Sequence, residues 1–244
     1  MRHLRLHADL PLAEHATFEL PEDAAGHAIR VLRLKAGDTL SLFNGDGHDY
    51  PATVTHADRR HATVQTGTRC RVDNEPPWPL RVAQCLAKGD KMDLVIQKAT
   101  ELGASAVIPL HAERGDVRLD GERADKRLRH WHGVARAACG QCGRARVPVI
   151  EAPQRLEHWL RQLDDHAGLR LALMPGTGRR VRDLTVPLAG LTLVIGPEGG
   201  LGPRDIDALT GAGFASLNLG PRVLRTETAA LAALAAVLAC HGDG

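Results

Sequence analysis

Two glycine-bearing stretches near the end of the 244-residue chain carry the chemistry-competent pattern. In Leu193-Val194-Ile195-Gly196-Pro197-Glu198-Gly199-Gly200-Leu201-Gly202, an apolar run feeds a loop of closely spaced glycines. Without a Cβ, such backbone lets amides approach a ligand closely, and ligands in open α/β sheets sit beyond the carboxyl ends of strands. Pro203 suits the first turn of a following helix, with Asp205 and Asp207 near its positive end. The pattern is neither the P-loop nor the dinucleotide fingerprint, and a plain structural turn has the same composition. The second stretch runs from Leu217 to Ala230: a strand, a Gly220-Pro221 turn, then Arg222, Arg225 and Glu227 around a helix that begins at Thr226.

Other reactive residues are less organised. Cys139-Gly140-Gln141-Cys142 is a C-x-x-C with His130 and His132 upstream. It lies on an expected helix and lacks a second C-x-x-C or a preceding thioredoxin-like strand, so no metal site is expected. The 13 histidines are scattered without ligand spacing, and most are expected to be solvated.

Taken together, the two glycine stretches resemble the SPOUT superfamily of methyltransferases, and more closely the RsmE-type 16S rRNA uridine N3-methyltransferases. The signatures are Gly196 to Gly200 and Leu219 to Ala229. Further blocks match at Arg30 to Arg33 with Gly37-Asp38, at Lys88 to Met92, at Lys98 to Gly103, and at Gln141 with Gly143 and Arg144. The similarity follows nearly the whole chain in order; it departs at Cys142, where the family usually has serine.

This resemblance implies an α/β knot, a trefoil-knotted parallel sheet, preceded by a PUA-like β-barrel. It also implies S-adenosylmethionine as cofactor. Contacts are assigned to Leu173 and Met174, to Ile195, Gly196, Pro197, Glu198, Gly199 and Gly200, and to Leu217, Leu219, Gly220, Val223 and Leu224. Thr226, Thr228 and Ala229 would close the pocket. The implied target is N3 of the decoding-region uridine at position 1498 in conventional rRNA numbering, on the assembled 30S subunit. A homodimer is implied, its interface involving the alanine-rich terminal helix, although intramolecular packing explains that helix equally well. RNA contacts fall to Arg2, Arg5, Arg30, Arg33, Arg69 and Arg144. Rival readings are a SPOUT enzyme with another target atom and a non-catalytic RNA-binding assembly factor.

Uridine N3 carries a proton and is a poor nucleophile until that proton leaves, so charge must be stabilised as it develops. Arg225 is expected to stabilise the anion through paired hydrogen bonds, Glu198 to accept the proton, and Arg144 to contact RNA or the partner's site. Glu198 could instead serve the loop amides, and Glu227 the helix dipole.

The framework for these residues is legible in composition and periodicity. Hydrophobic residues at 43% and charged residues at 25% describe a globular chain. Aromatics at 3% make base recognition by exposed ring stacking an unsuitable mode. A formal charge of +2 does not by itself mark a nucleic-acid binder. Five cysteines without a signal-like start, and no apolar run long enough to span a bilayer, lead to the expectation of a cytoplasmic protein away from membranes.

Residues 1–72 read as short strands and turns, with Thr39 to Leu42, Ala52 to Thr55 and Ala62 to Gln65 alternating at period two, and a short helix from His27 to Leu32 ending near Gly37. Residues 73–79, rich in proline, read as a linker. Residues 80–244 then alternate strand and helix. Met92, Val95, Ile96, Ala99 and Leu102 share one helical face that Gly103 would end, a polar helix spans about Glu122 to Gln141, and Val147 to Ile150 reads as a strand. Leu169 to Met174 and Leu191 to Ile195 read as the apolar runs of strands covered on both faces, broken only by Arg170 and Thr192.

Overall fold

The computed structural model describes residues 4–163, 168–174 and 178–242. The chain divides into two compact units, one formed by Met1–Glu75 with Arg136–Val147 and the other by Pro76–Ala135 with Pro148–Gly244.

The first unit contains β1 (Arg5–His7), β2 (Thr17–Glu19), α1 (Glu22–Gly26), β3 (Thr39–Phe43), β4 (His48–Ala57), β5 (Ala62–Thr66) and β6 (Cys70–Arg71). Its sheet follows the order β1-β3-β4-β5-β2, with β6 paired to β4. No pairing among the described residues joins β1 to β2. The alternating residues of β4 and β5 do what period two requires: Ala52, Val54, Ala62 and Val64 point into a core shared with Leu40, Leu42 and Tyr50. The helix expected from His27 is different in kind. α1 passes into a π-helical turn at His27–Val31, where the Leu32 amide donates to the His27 carbonyl five residues back. Arg33, at φ 57°, then turns the chain out of the helix before Gly37 is reached.

The second unit is built on a parallel sheet. Its elements are β7 (Leu80–Cys85), α2 (Lys91–Glu101), β8 (Ala106–His111), α3 (Gly121–Cys142, whose residues from Arg136 cluster with the first unit), β9 (Val149–Ile150), β10 (Gln154–Arg155), α4 (Leu156–Leu160), β11 (Leu169–Leu173), β12 (Arg179–Arg180), β13 (Leu191–Ile195), α5 (Pro203–Gly211), β14 (Ala215–Asn218) and α6 (Thr226–His241). The strand order is β10-β8-β7-β13-β11-β14-β12, with β9 on β8, and every pairing is parallel.

All five residues of β13 are buried, the reason four of them, Leu191, Leu193, Val194 and Ile195, are apolar. β9 is shorter than the Val147 to Ile150 run because Pro148 has no amide to give a ladder; the first ladder bond comes from the Val149 amide to Ser105. α2 buries Met92, Val95, Ile96 and Ala99, and Gly103 closes it at φ 78°. α6 buries Ala230, Ala233, Leu234, Val237 and Leu238, and packs on α2. No helix among the described residues is long and apolar enough to cross a membrane.

Candidate active site

The strand order decides where the two glycine stretches go. β11 lies between β13 and β14, so the segments leaving all three strands emerge side by side at their carboxyl ends. There they surround a cavity of about 680 Å³, within the range of small-molecule sites. Its wall includes Leu173 and Met174 at the end of β11, Ile195 to Leu201 from the end of β13 onward, Leu217 to Gly220 from the end of β14 onward, and Arg222 to Thr226 with Ala229 at the start of α6. Of the residues assigned to the cofactor from sequence, Thr228 alone does not line this cavity; it is exposed on α6. Asn218 and Arg222, within the second stretch, line it too, and Lys91, Arg114, Leu201 and Ile206 line it without having been singled out. Lys91 and Arg222 stood inside matched motifs; for Arg114 no local signal was available.

The glycine loop is held from behind. The Asp205 carboxylate, 4% exposed, accepts the Gly202 amide at 3.0 Å and the Glu113 amide at 3.0 Å. The Arg204 amide donates to Glu113 Oε2 at 3.1 Å. A Cβ on Gly202 would overlap the Glu113 side chain, and one on Gly199 would come within 3.1 Å of the Arg114 carbonyl. A side chain at either position would have to displace the segment after β8, which packs directly against the loop.

The charged groups at the cavity are unevenly committed. Glu198 Oε1 accepts from Lys91 Nζ at 2.8 Å and from the Lys88 amide at 3.0 Å. Burial by itself would raise the Glu198 carboxyl, but the hydrogen bonds from Lys91 and the Lys88 amide outweigh it and hold the group below its ordinary range. The same contact with Glu198 raises Lys91. Glu227 Oε2 lies 3.7 Å from Lys91 Nζ and is buried without a hydrogen bond; its residue does not line the cavity. Arg114, Arg222 and Arg225 line the cavity and are exposed. Arg225 is therefore placed to meet a ligand in the cavity.

Arg144 belongs to the first unit. It is 3% exposed, with Nε donating to Glu75 Oε1 at 3.0 Å and NH2 to Glu75 Oε2 at 2.5 Å. Arg5 is similarly turned inward: it forms a forked pair with Asp49, donates to the Cys139 carbonyl at 2.8 Å, and lies over the Phe43 ring. Their guanidinium groups fasten the segment Arg136–Val147 to the strands of this unit, in place of the surface contacts expected of them. Arg30, Arg33 and Arg69 are exposed, while Arg2 lies outside the described residues. Cys139 is buried, and burial pushes its thiol up to about 12, an inert state. Among the described residues no group of His, Cys, Asp and Glu is arranged to hold a metal ion.

The RNA methyltransferase domain family matches residues 74–238, and the RNA methyltransferase PUA domain family matches residues 20–66. The ribosomal RNA small subunit methyltransferase E of Mycobacterium bovis is 38% identical over 220 residues, covering 88% of this chain and 83% of the relative. The enzyme of the same name from Bacillus subtilis is 30% identical over 233 residues, covering 93% and 91%. Among solved structures, the Neisseria gonorrhoeae ribosomal RNA small subunit methyltransferase E bound to S-adenosyl methionine superposes with a TM-score of 0.92 at 31% identity, covering 99% of each chain. A Legionella pneumophila structure in complex with the bound cofactor SAM superposes at 0.95 with 36% identity, covering 100% of each chain.

Proposed function

The chain belongs to the RsmE-type family of ribosomal RNA small subunit methyltransferases, and from that membership we propose that it methylates N3 of a uridine in 16S rRNA using S-adenosylmethionine. The observation that carries this reading is the convergence of three segments distant in sequence, after β11, β13 and β14, on one cavity.

The residues present fit the cofactor. Leu173, Ile195, Leu217 and Leu219 offer apolar surface for a purine, and the glycine loop offers backbone groups at close range. When bound, S-adenosylmethionine supplies an electrophilic methyl group on a sulfonium sulfur. Leu173, Met174, Ile195 to Gly200, Leu217, Leu219, Gly220, Val223, Leu224, Thr226 and Ala229 are the residues proposed to hold it, without Thr228, which does not line the cavity. Arg225, exposed at the cavity wall, donates hydrogen bonds to the uracil oxygens and stabilises the charge left when N3 loses its proton. Glu198 accepts that proton, and Lys91 keeps the carboxylate ionised beforehand. The hydrogen bond from Lys91 also makes Glu198 a weaker base, so Arg225 must lower the acidity barrier on the uracil side.

In the same reading residues 1–72 form a PUA-like barrel that grips RNA through Arg30, Arg33 and Arg69, residues 73–79 are a linker, and residues 80–244 form a knotted methyltransferase domain. Two copies assemble in the cytoplasm and act on the 30S subunit. Methyl transfer to undermethylated 30S subunits, compared with naked 16S rRNA and followed by mapping of the product base, tests the target. N3-methyluridine in 30S-bound rRNA is the expected product. No transfer to either substrate while cofactor is bound would overturn the assignment.

A further inference from the structure

The carboxyl end of β7 carries a buried polar side chain that the reaction described above does not use. Gln84 is 0% exposed on a strand whose neighbours are Val82, Ala83 and Cys85. Sheet register pairs it with Ile195, one residue before Gly196. Its Nε2 donates to Thr226 Oγ1 at 2.8 Å and to the Cys85 carbonyl at 2.9 Å. The Thr226 hydroxyl in turn donates to the Gly196 carbonyl at 2.6 Å.

The direction of these bonds is fixed by chemistry. Carbonyl oxygens only accept, so the Thr226 hydrogen must go to Gly196, and Thr226 Oγ1 must receive its own hydrogen from elsewhere. Gln84 can provide it only with the amide nitrogen facing Thr226. Reversing the amide would set Oε1 against the Cys85 carbonyl, which has no hydrogen to give. Gln84 Oε1 is left buried without a partner, an arrangement normally avoided and tolerated here for the sake of the other two bonds. One buried amide therefore ties together the end of β7, the first glycine of the loop after β13, and the first residue of α6.

We infer that Gln84 is a positioning residue for the cofactor pocket, acting through the Thr226 hydroxyl to hold the Gly196 loop and the first turn of α6 in the binding arrangement before a ligand enters. The inference rests on the pocket being the S-adenosylmethionine site. Without the Gln84 hydrogen bond the Thr226 hydroxyl is held by the Gly196 carbonyl alone and loses its tie to β7, and a loop that must be ordered during binding lowers affinity.

Titration calorimetry with S-adenosylmethionine, on the full chain and on Gln84→Met, Thr226→Val and the double variant, tests it. Each single substitution is expected to weaken binding about tenfold, the effect of one lost hydrogen bond. Because the bonds act in series, the double variant should also be about tenfold weaker, whereas independent effects would multiply to roughly a hundredfold. Unchanged affinity in folded Gln84→Met, or a multiplied loss, overturns the inference, and a lowered melting temperature with unchanged affinity marks a merely structural glutamine. If Gln84→Met does not fold, Gln84→Asn keeps an amide but withdraws it from Thr226 and enters the same comparison. Amide hydrogen exchange of residues 196–202 in the ligand-free protein gives a second reading: faster exchange in the Gln84 variant supports the relay, and unchanged exchange overturns it. If the unsubstituted chain binds no S-adenosylmethionine, the cofactor assignment fails, and the exchange result still decides the role of Gln84.

Discussion

Lys91 on α2 and Glu198 in the glycine loop, 107 positions apart in the chain, meet with Nζ 2.8 Å from Oε1. The lysine also lies 3.7 Å from Glu227, so one cation serves two carboxylates at the edge of the cavity. The sign of its effect on Glu198 is set by this geometry. A neighbouring ammonium favours the ionised carboxylate and lowers the pH at which it takes up a proton.

Replacing Lys91 with methionine removes that influence and should raise the Glu198 pKa. If Glu198 accepts the uridine proton, it works only when ionised, so the acidic limb of the kcat/KM profile should move to higher pH in Lys91→Met. A pH series of methyl transfer on 30S subunits checks this. An acidic limb in the same place would remove Glu198 from the proton path.

Arg225→Ala should separate chemistry from cofactor binding. Loss of a donor aimed at developing negative charge costs about two to three orders of magnitude in kcat. S-adenosylmethionine affinity, measured by calorimetry, should change by at most about tenfold, the effect of one lost hydrogen bond, since the side chain is proposed to address the uracil and not the cofactor. Normal turnover would dismiss the anion-stabilising role.

Arg144→Met addresses an arginine that looked like a surface contact and is instead 3% exposed against Glu75. Removing one partner of a buried pair leaves the other uncompensated; with Glu75 24% exposed the loss is expected at about 1–3 kcal/mol. Urea denaturation of the variant measures it. Unchanged stability together with weaker binding to rRNA would return Arg144 to the RNA-contact role.

His7 gives the first unit a defined acid sensitivity. Burial and the nearby Arg136 charge, partly offset by Asp9, lower its pKa from 6.5 to about 4. Between those values the unfolded chain binds a proton that the folded chain refuses, so stability is complete above about pH 6.5 and declines as pH falls toward 4. The decline attributable to this residue should be about 1–3 kcal/mol. Comparing urea midpoints at pH 7 and pH 4.5 for the unsubstituted chain and His7→Gln isolates it; the same pH dependence in both proteins would refute the assignment.

Several elements were legible before any coordinates because their patterns are local. Leu191 to Ile195 is apolar at every position but Thr192, as suits a strand covered on both faces, and it forms β13. Met92, Val95, Ile96 and Ala99 recur at helical spacing and become the buried face of α2. The turn at Leu32 to Arg33 was not legible in the same way: a five-residue-back hydrogen bond and a positive φ at an arginine carry no compositional mark.

The sequence by itself determined the two glycine-rich segments, the elements that launch them and, through its ordered motifs, the family to which the chain belongs. Propensity and periodicity act over a few residues, so they reach that far. Tertiary structure alone decided that β11 lies between β13 and β14, bringing those segments to one cavity. It also turned Arg5 and Arg144 inward, paired Lys91 with Glu198, and joined Gln84 through Thr226 to Gly196. Each of these depends on which distant groups share a buried volume. A residue's type states what it can donate or accept; only the packed chain supplies the partner.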